Sequence, residues 1–338
     1  MQIGIIGGGK ASCYHLMAYA QLKKKIDFTI SFLIEPNQKN ANDWLNLYSE
    51  LFDYSKLPEV FSDLNEIHTL DDMILDICSP NNTHLDVIKL CKTKGAKKFI
   101  VEKPAFVNYK ELNEFKNLEG ITVYIQENYI FSTLLKTVED ILKQYQIKIN
   151  QIDMNFSKNR INDSLMNRGF YNGVPPHIFM IEIPHTVAIA HYLLGPGTVV
   201  HSECEDMSIG NKHFNNHGKG SVLIKHEFAT SNHYSSMVCQ DRQRSFIING
   251  ADNDNNLYSI TVHFPHDYKN LIGTIELHVN NNKTNYYELV DNSLANSIDN
   301  ILLAFAENQD AIVNKDFIIQ TSQLLFDAID KSFKSVFQ

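Results

Sequence analysis

Gly7-x-Gly9-x-x-Ser12 stands between an apolar, β-branched run, Ile3–Ile6, and a segment with helical periodicity. That arrangement suits a pyrophosphate. Glycines let the backbone approach it, and the positive end of the following helix favours its charge. Lys10 and Ala11 open that helix, and Ser12 is small enough for the helix-packing role of a third glycine. Glu35 closes the second apolar run, where a carboxylate would hold ribose hydroxyls. A carboxylate there repels a 2′-phosphate, and an arginine clamp is the usual way to accommodate one. The first half of the chain has no arginine, and Lys39 is the nearest cation, so NAD is expected rather than NADP. All four arginines lie later, at Arg160, Arg168, Arg242 and Arg244. Arg160 and Arg168 are suited either to clamp an acidic substrate or to form ordinary surface ion pairs. His213 and His217 have the spacing of a metal pair, but Gly/Asn neighbours place them in a loop with no third ligand, so no metal is expected.

The elements that must position these residues alternate. Apolar runs at Ile3–Ile6, Phe28–Ile34, Ile74–Cys78, Phe99–Glu102 and Ile121–Gln126 read as strands. Between them Ala11–Leu22, Asn40–Leu51, Thr83–Thr93 and the region of Asn108–Leu118 read as helices. Such alternation predicts a parallel sheet covered on both faces. After a connecting helix at Phe131–Tyr145 the character changes to strands in succession. These are Ile152–Phe156, Val199–Cys204, Ser221–Phe228, Tyr234–Gln240, Ser245–Asn249, Tyr258–Phe264, Thr274–Val279 and Tyr286–Leu289. Turns such as Asn249-Gly250 and Asn280-Asn281-Asn282 separate them, one helical stretch lies near His177–Leu194, and helices near Leu294–Glu307 and Phe317–Phe333 close the chain. The expected fold is α/β followed by α+β: a Rossmann dinucleotide-binding domain over 1–126, then a domain over 127–338 with a large, mostly antiparallel sheet. The last helices are expected to pack back on the first domain.

The 338 residues are 43% hydrophobic and 20% charged, enough for a real core. No apolar run reaches the ~18 residues of a membrane span, and MQIGIIGGG lacks the basic start of a secretion signal. Five scattered cysteines without a C-x-x-C argue for a reducing cytoplasm. A net charge of -9 without a basic stripe makes nucleic acid an unexpected partner.

Four further segments stand in order: Cys78-Ser79-Pro80-Asn81-Asn82-Thr83-His84, Val101-Glu102-Lys103-Pro104, Glu127-Asn128-Tyr129, and Gly173-Val174-Pro175-Pro176-His177 leading through Glu182-Ile183-Pro184-His185 to Gly195. In these the chain resembles the glucose–fructose oxidoreductase/inositol dehydrogenase (Gfo/Idh/MocA) family over essentially its whole length. The resemblance implies hydride transfer between a nicotinamide and a carbon bearing a hydroxyl, or the matching carbonyl or imine. It implies Lys103 as the cation that polarises the substrate oxygen and His185 as acid/base, a role suited to an imidazole. It places Ser79, Pro80, Asn81, His84, Glu102, Lys103 and Asn128 at the cofactor, with Pro104, after a cis bond, aiming Lys103 into the interdomain cleft. Tyr129 is a second proton donor in this scheme, and His177, eight residues before His185, shares its helix face.

The family's aspartates four before and three after the histidine are replaced here by Ile181 and Ala188. Glu182 is the nearest carboxylate, on the same face as His185 if Pro184 leaves the helix regular, and is the expected orienting partner. The leading expectation is an NAD-dependent oxidoreductase of a small polar, acidic or sugar-like metabolite, acting as a homodimer or homotetramer. The open face of the second sheet, expected to be apolar, would form the contact. Two alternatives remain open on the sequence: a lyase or glycosidase that oxidises its substrate transiently with tightly held NAD, and a dinucleotide-binding sensor without turnover.

Overall fold

A computed structural model describes residues 1–52, 56–171, 173–266 and 270–334. The chain divides into two compact units, Met1–Asn128 with Leu294–Ile319, and Tyr129–Ser293 with Gln320–Gln338.

In the first unit β1 (Gln2–Ile6), α1 (Lys10–Leu22), β2 (Thr29–Ile34), α2 (Gln38–Leu51), β3 (Glu59–Phe61), β4 (Met73–Ile77), α3 (His84–Thr93), β5 (Lys98–Glu102), α4 (Tyr109–Lys116) and β6 (Thr122–Gln126) follow one another. All six strands are parallel, in the order β3-β2-β1-β4-β5-β6. β4 is buried at every position, which is why it reads as a continuous apolar run rather than an alternating one. The strand order reverses between β1 and β4, and such a switch point opens a crevice at the carboxyl ends of the strands. β3 is a three-residue edge strand without an apolar run of its own, so sequence periodicity does not mark it.

The second unit contains α5 (Thr133–Gln144), β7 (Lys148–Ser157), the short α6 (Ile161–Leu165), α7 (Ile183–Leu194), β8 (Gly197–Ile209), β9 (Lys212–His226), β10 (Thr230–Ser236), β11 (Gln243–Ala251), β12 (Leu257–His263), β13 (Ile272–Val279) and β14 (Asn282–Val290). These strands form one sheet in the order β14-β13-β12-β11-β7-β10-β9-β8, antiparallel except for the β7–β10 pair. Two closing helices, α8 (Ser293–Glu307) and α9 (Lys315–Lys334), complete the chain. Leu294–Ile319 belongs to the first unit, where Ile125 N–H donates to Val313 O at 3.0 Å and the Tyr124 hydroxyl to Gln309 O at 2.9 Å.

One face of the second sheet is apolar: Ile152, Met154, Phe156, Phe246, Ile248, Ile260 and Val262 are buried. Each large side chain contributes about 1.5–3 kcal/mol by leaving water. Near β9, Ile178, Phe179, Ile183 and Val187 pack with Val222 and Ile224 and with Leu324, Leu325 and Ala328 of α9. The opposite face corrects an expectation. In register across it stand Asn232, Asp153, Ile247 and Thr261, with Asn155 and Ser245 beside them, a mostly polar surface. Asn249-Gly250 is not a turn either. Both residues lie inside β11, where the register against β7 shifts by a bulge. A Cβ on Gly250 would stand 2.4 Å from Lys148 O, so the glycine serves a close approach of two strands. Among the described residues no helix is long and apolar enough to cross a membrane.

Candidate active site

The candidate residues of the first unit begin at the turn after β1. Gly7 N–H donates to Ile34 O at 2.8 Å, and Gly7 takes φ +100°. Gly9 caps α1 without a side-chain hydrogen bond, the first turn of α1 holds no acid, and a Cβ on Gly9 would meet no atom within 4 Å. Room and uncapped amides at a helix N-terminus are what a pyrophosphate requires. Lys10 and Ala11 begin the helix, the Lys10 ammonium standing 5.7 Å from the Tyr14 ring. Buried Ser12 donates its hydroxyl to Gly9 O at 2.8 Å, tightening the first turn. After β2, Glu35 is nearly buried. One carboxylate oxygen accepts Gly8 N–H at 2.6 Å and the other accepts Asn37 N–H at 2.8 Å. Asn37 in turn caps α2, accepting Lys39 N–H and Asn40 N–H. The acid is thus held beside the glycine turn with lone pairs to spare, and the residues present fit NAD.

The turns after β4 and β5 are tied together. Asn81 Nδ2 donates to Pro104 O at 3.0 Å, and the buried His84 ring lies 2.9 Å from Ser79 O and 3.1 Å from Ala105 O. Ser79 Oγ pairs with Thr83 Oγ1, whose hydroxyl contacts Pro80 O. The Lys103–Pro104 bond is cis. Glu102 Oε2 accepts Lys103 N–H at 3.0 Å, and its other oxygen lies 2.8 Å from His15 Nε2. His15 and its further partner Asp76, 2.8 Å from Nδ1, are absent from the sequence expectations. A carboxylate inside the otherwise apolar run of β4 was the available signal.

In the second unit Tyr129 begins the aromatic wall. Its ring centroid lies 4.9 Å from that of His185, 5.1 Å from Phe156 and 4.6 Å from Phe264, all near perpendicular. Arg244 stands over Tyr129 at 5.4 Å and over Phe156 at 5.8 Å. Asn128 opens the short 3-10 turn Asn128–Phe131. Glu182 is the N-cap of α7 and Pro184 lies in its first turn, where a missing N–H costs nothing. His185 donates its backbone N–H to Glu182 O at 3.2 Å. The Glu182 carboxylate, 2% exposed, is held by Lys158 and by Arg244 Nη2 at 2.9 Å. Arg244 and Lys158 are functional candidates that the sequence did not single out.

Other expected groups lie elsewhere. His177 is not on the helix face of His185; it caps the 3-10 turn Ile178–Met180, its Nδ1 accepting Phe179 N–H at 3.2 Å. Burial, with His217 nearby, pushes its pKa down to about 4. The partly buried Arg160 and the exposed Arg168 converge on Asp163, at 3.6 and 3.0 Å. His213 and His217 stand within β9 rather than in a loop: residues 212–214 pair with β8, and 219–225 pair with both β8 and β10. His213 pairs with Asp206 at 2.9 Å, and His217 lies 2.8 Å from Pro176 O and 3.0 Å from Ser164 Oγ.

Residues 1–120 match the model of an oxidoreductase family with an NAD-binding Rossmann fold, GFO_IDH_MocA. No curated protein matches the chain in sequence. Solved structures match its fold along nearly the whole length. An oxidoreductase from Agrobacterium radiobacter, in complex with NAD+, L-tartaric acid and magnesium, is 15% identical over 99% of this chain and 97% of its own, with a TM-score of 0.76. UDP-N-acetylglucosamine 3-dehydrogenase from Acidithiobacillus ferrooxidans is 14% identical over 100% and 99%, with a TM-score of 0.75. A levoglucosan dehydrogenase in complex with NADH and levoglucosan is 14% identical over 99% and 97%, with a TM-score of 0.77. Residues 1–120, which carry the glycine turn, Glu35 and Lys103 on one parallel sheet, are thus similar to the NAD-binding Rossmann domain of the Gfo/Idh/MocA oxidoreductase family.

Proposed function

We propose that the protein is an NAD-dependent dehydrogenase of a small, polar and acidic hydroxy metabolite. The observation that carries this reading is the placement of Lys103. It follows β5 at the same carboxyl edge of the sheet as the glycine turn after β1 and Glu35 after β2. NAD, when bound, accepts the hydride from the substrate carbon. Gly7, Gly9 and Ser12 would seat its pyrophosphate, and Glu35 its adenosine ribose. In this scheme the Lys103 ammonium polarises the substrate oxygen. His185 takes the hydroxyl proton as the hydride departs, and returns it in the reverse direction.

The acidic character of the substrate is supported by the charge around Glu182. Two cations, Lys158 and Arg244, attend that one carboxylate. Arg244 and the His185 ring share Tyr129 as a neighbour, so a cation stands close to the proposed base. L-Tartaric acid in the A. radiobacter structure is a ligand of that chemical kind, and levoglucosan represents the neutral alternative.

A screen of hydroxy acids, sugar acids, sugars and nucleotide sugars, followed by NADH fluorescence, identifies the substrate class. Lys103→Met is then expected to lower kcat by about 10²–10³-fold or more while leaving NADH affinity nearly unchanged. Wild-type-like turnover in that variant overturns the assignment.

A further inference from the structure

Asp76 is a carboxylate with no exposure, set inside β4 between Leu75 and Ile77. A buried charge of that kind costs several kcal/mol unless donors surround it. Three groups do. The Tyr19 hydroxyl donates to Oδ2 at 2.9 Å, His15 Nδ1 lies 2.8 Å from the same oxygen, and the Cys78 thiol lies 3.6 Å from Oδ1. Nδ1 therefore carries a proton. The opposite ring nitrogen, Nε2, stands 2.8 Å from Glu102 Oε1, and the second Glu102 oxygen is engaged by Lys103 N–H. A neutral imidazole has one N–H. Committed to Asp76, it would present only a lone pair to the Glu102 carboxylate, acceptor against acceptor. A doubly protonated ring satisfies both sides. Burial, the largest influence on His15, opposes that charge. The Asp76 carboxylate, in contact with Nδ1, outweighs burial and holds the imidazole pKa well above its usual value.

The same three residues, His15, Asp76 and Cys78, are metal-ligand types with donor atoms close together. Their spacing is that of hydrogen bonds, Tyr19 already occupies Asp76 Oδ2, and burial pushes the Cys78 pKa upward, keeping it a thiol. A clamp, not a metal, accounts for the cluster.

We propose that His15 is a positioning residue for Lys103: its imidazolium, anchored on Asp76, grips the Glu102 carboxylate and so fixes the Glu102–Lys103 peptide from which the Lys103 side chain departs. The clamp joins α1, which starts at the glycine turn, to β4 and β5. The segment that would seat the pyrophosphate and the lysine that would polarise the substrate are thereby set by one hydrogen-bonded unit. The idea rests on the role given to Lys103 above, but the clamp has readouts of its own.

Asparagine at position 15 can place an amide near Nδ1 and donate to Asp76, yet it offers nothing where Nε2 stands. In ¹⁵N-histidine-labelled protein His15 is expected to retain two ring N–H protons from about pH 6 to about pH 9, against Asp76, Glu102, Cys78 and Tyr19 as its titratable neighbours. A single-proton tautomer overturns the proposal. In protein whose lysines are reductively ¹³C-methylated, the Lys103 signal is the one missing from Lys103→Met. Its titration midpoint is expected to shift in His15→Asn and again in Glu102→Gln, which breaks the grip from the other side should the first variant not fold. An unmoved midpoint in either folded variant overturns the clamp. With substrate in hand, His15→Asn is expected to lose about 10²-fold in kcat with NADH affinity nearly kept, the signature of a displaced catalytic group. If Lys103→Met turns over normally while the midpoint shifts remain, the proposed function fails and the clamp stands.

Discussion

An alanine at position 7 would carry its Cβ 2.7 Å from Ser79 N and 2.8 Å from the Cys78 carbonyl, and would have to hold φ near +100°. Both neighbours are backbone at the end of β4, so no side chain can swing aside. The left-handed conformation alone costs about 1–2 kcal/mol for an L residue. Gly7→Ala is therefore expected to lower the Tm and to weaken NADH binding by about tenfold or more, checked by thermal melts and fluorescence titration. An unchanged Kd would show that the turn after β1 is not where the nucleotide sits. At this scale the legible residues are those placed by local spacing. Gly7, Gly9, Ser12 and Glu35 declare themselves by spacing to the strands beside them. His15 does not, because its partners lie 61 and 87 residues away. Arg244 is hidden for the same reason, 62 residues from Glu182. Arg160 and Arg168 drew notice by their rarity, yet Asp163 between them takes both.

Among the elements, α5 shows how a helix start is built from both local and distant groups. Ser132 caps it, its Oγ accepting Leu134 N–H at 3.1 Å and Leu135 N–H at 3.4 Å while donating to Asp291 Oδ2 at 2.8 Å. Asp291 Oδ1 accepts Thr133 N–H at 2.8 Å, so one buried carboxylate at the end of β14 and one hydroxyl satisfy the first turn. Ser132→Ala removes the cap and a donor to Asp291, and is expected to cost about 1–2 kcal/mol, read as a lower midpoint in urea unfolding. A change below about 0.5 kcal/mol would mean that water replaces the cap. The hydroxyl's cap role is legible from Ser132 ahead of an apolar period; Asp291 as its partner is not. The parallel sheet is legible except at β3, because its other five strands are largely buried and read as apolar runs while the exposed β3 does not. The antiparallel sheet is legible in its strands but not in its breaks. Asn-Gly favours a tight turn in isolation, but at Asn249-Gly250 the pairing with β7 on one side and β12 on the other carries the strand through, and the glycine becomes a bulge.

For the whole molecule, buried neutral histidines set the response to acid. His177 Nδ1 accepts a backbone N–H, so it holds no proton there. His217, placed between Pro176 O and Ser164 Oγ, is satisfied as a neutral ring. His233 lies between the Ser231 and Thr186 hydroxyls and is satisfied in the same way. Burial pushes all three pKa values down, to about 4 for His177 and about 3 for His233. In the unfolded chain each returns to about 6.5. Between these values the unfolded state binds more protons, so the contribution is fully present above about pH 6.5 and is lost as pH falls toward the folded pKa. His15 runs the other way: its raised pKa stabilises at low pH and fades only as pH rises. Burial lowers His84, His191 and His226 as well, so one raised histidine stands against six lowered ones and the balance is a net loss on the acid side. The Tm is expected to fall steadily from about pH 6.5 to about pH 4.5 in calorimetry. His177→Asn isolates one share of that slope. Its side-chain oxygen can still accept Phe179 N–H at the cap, but it takes up no proton. The acid limb of the variant should be shallower by about 1.4 kcal/mol per pH unit at most. An acid limb identical to wild type would place the proton uptake elsewhere in the chain.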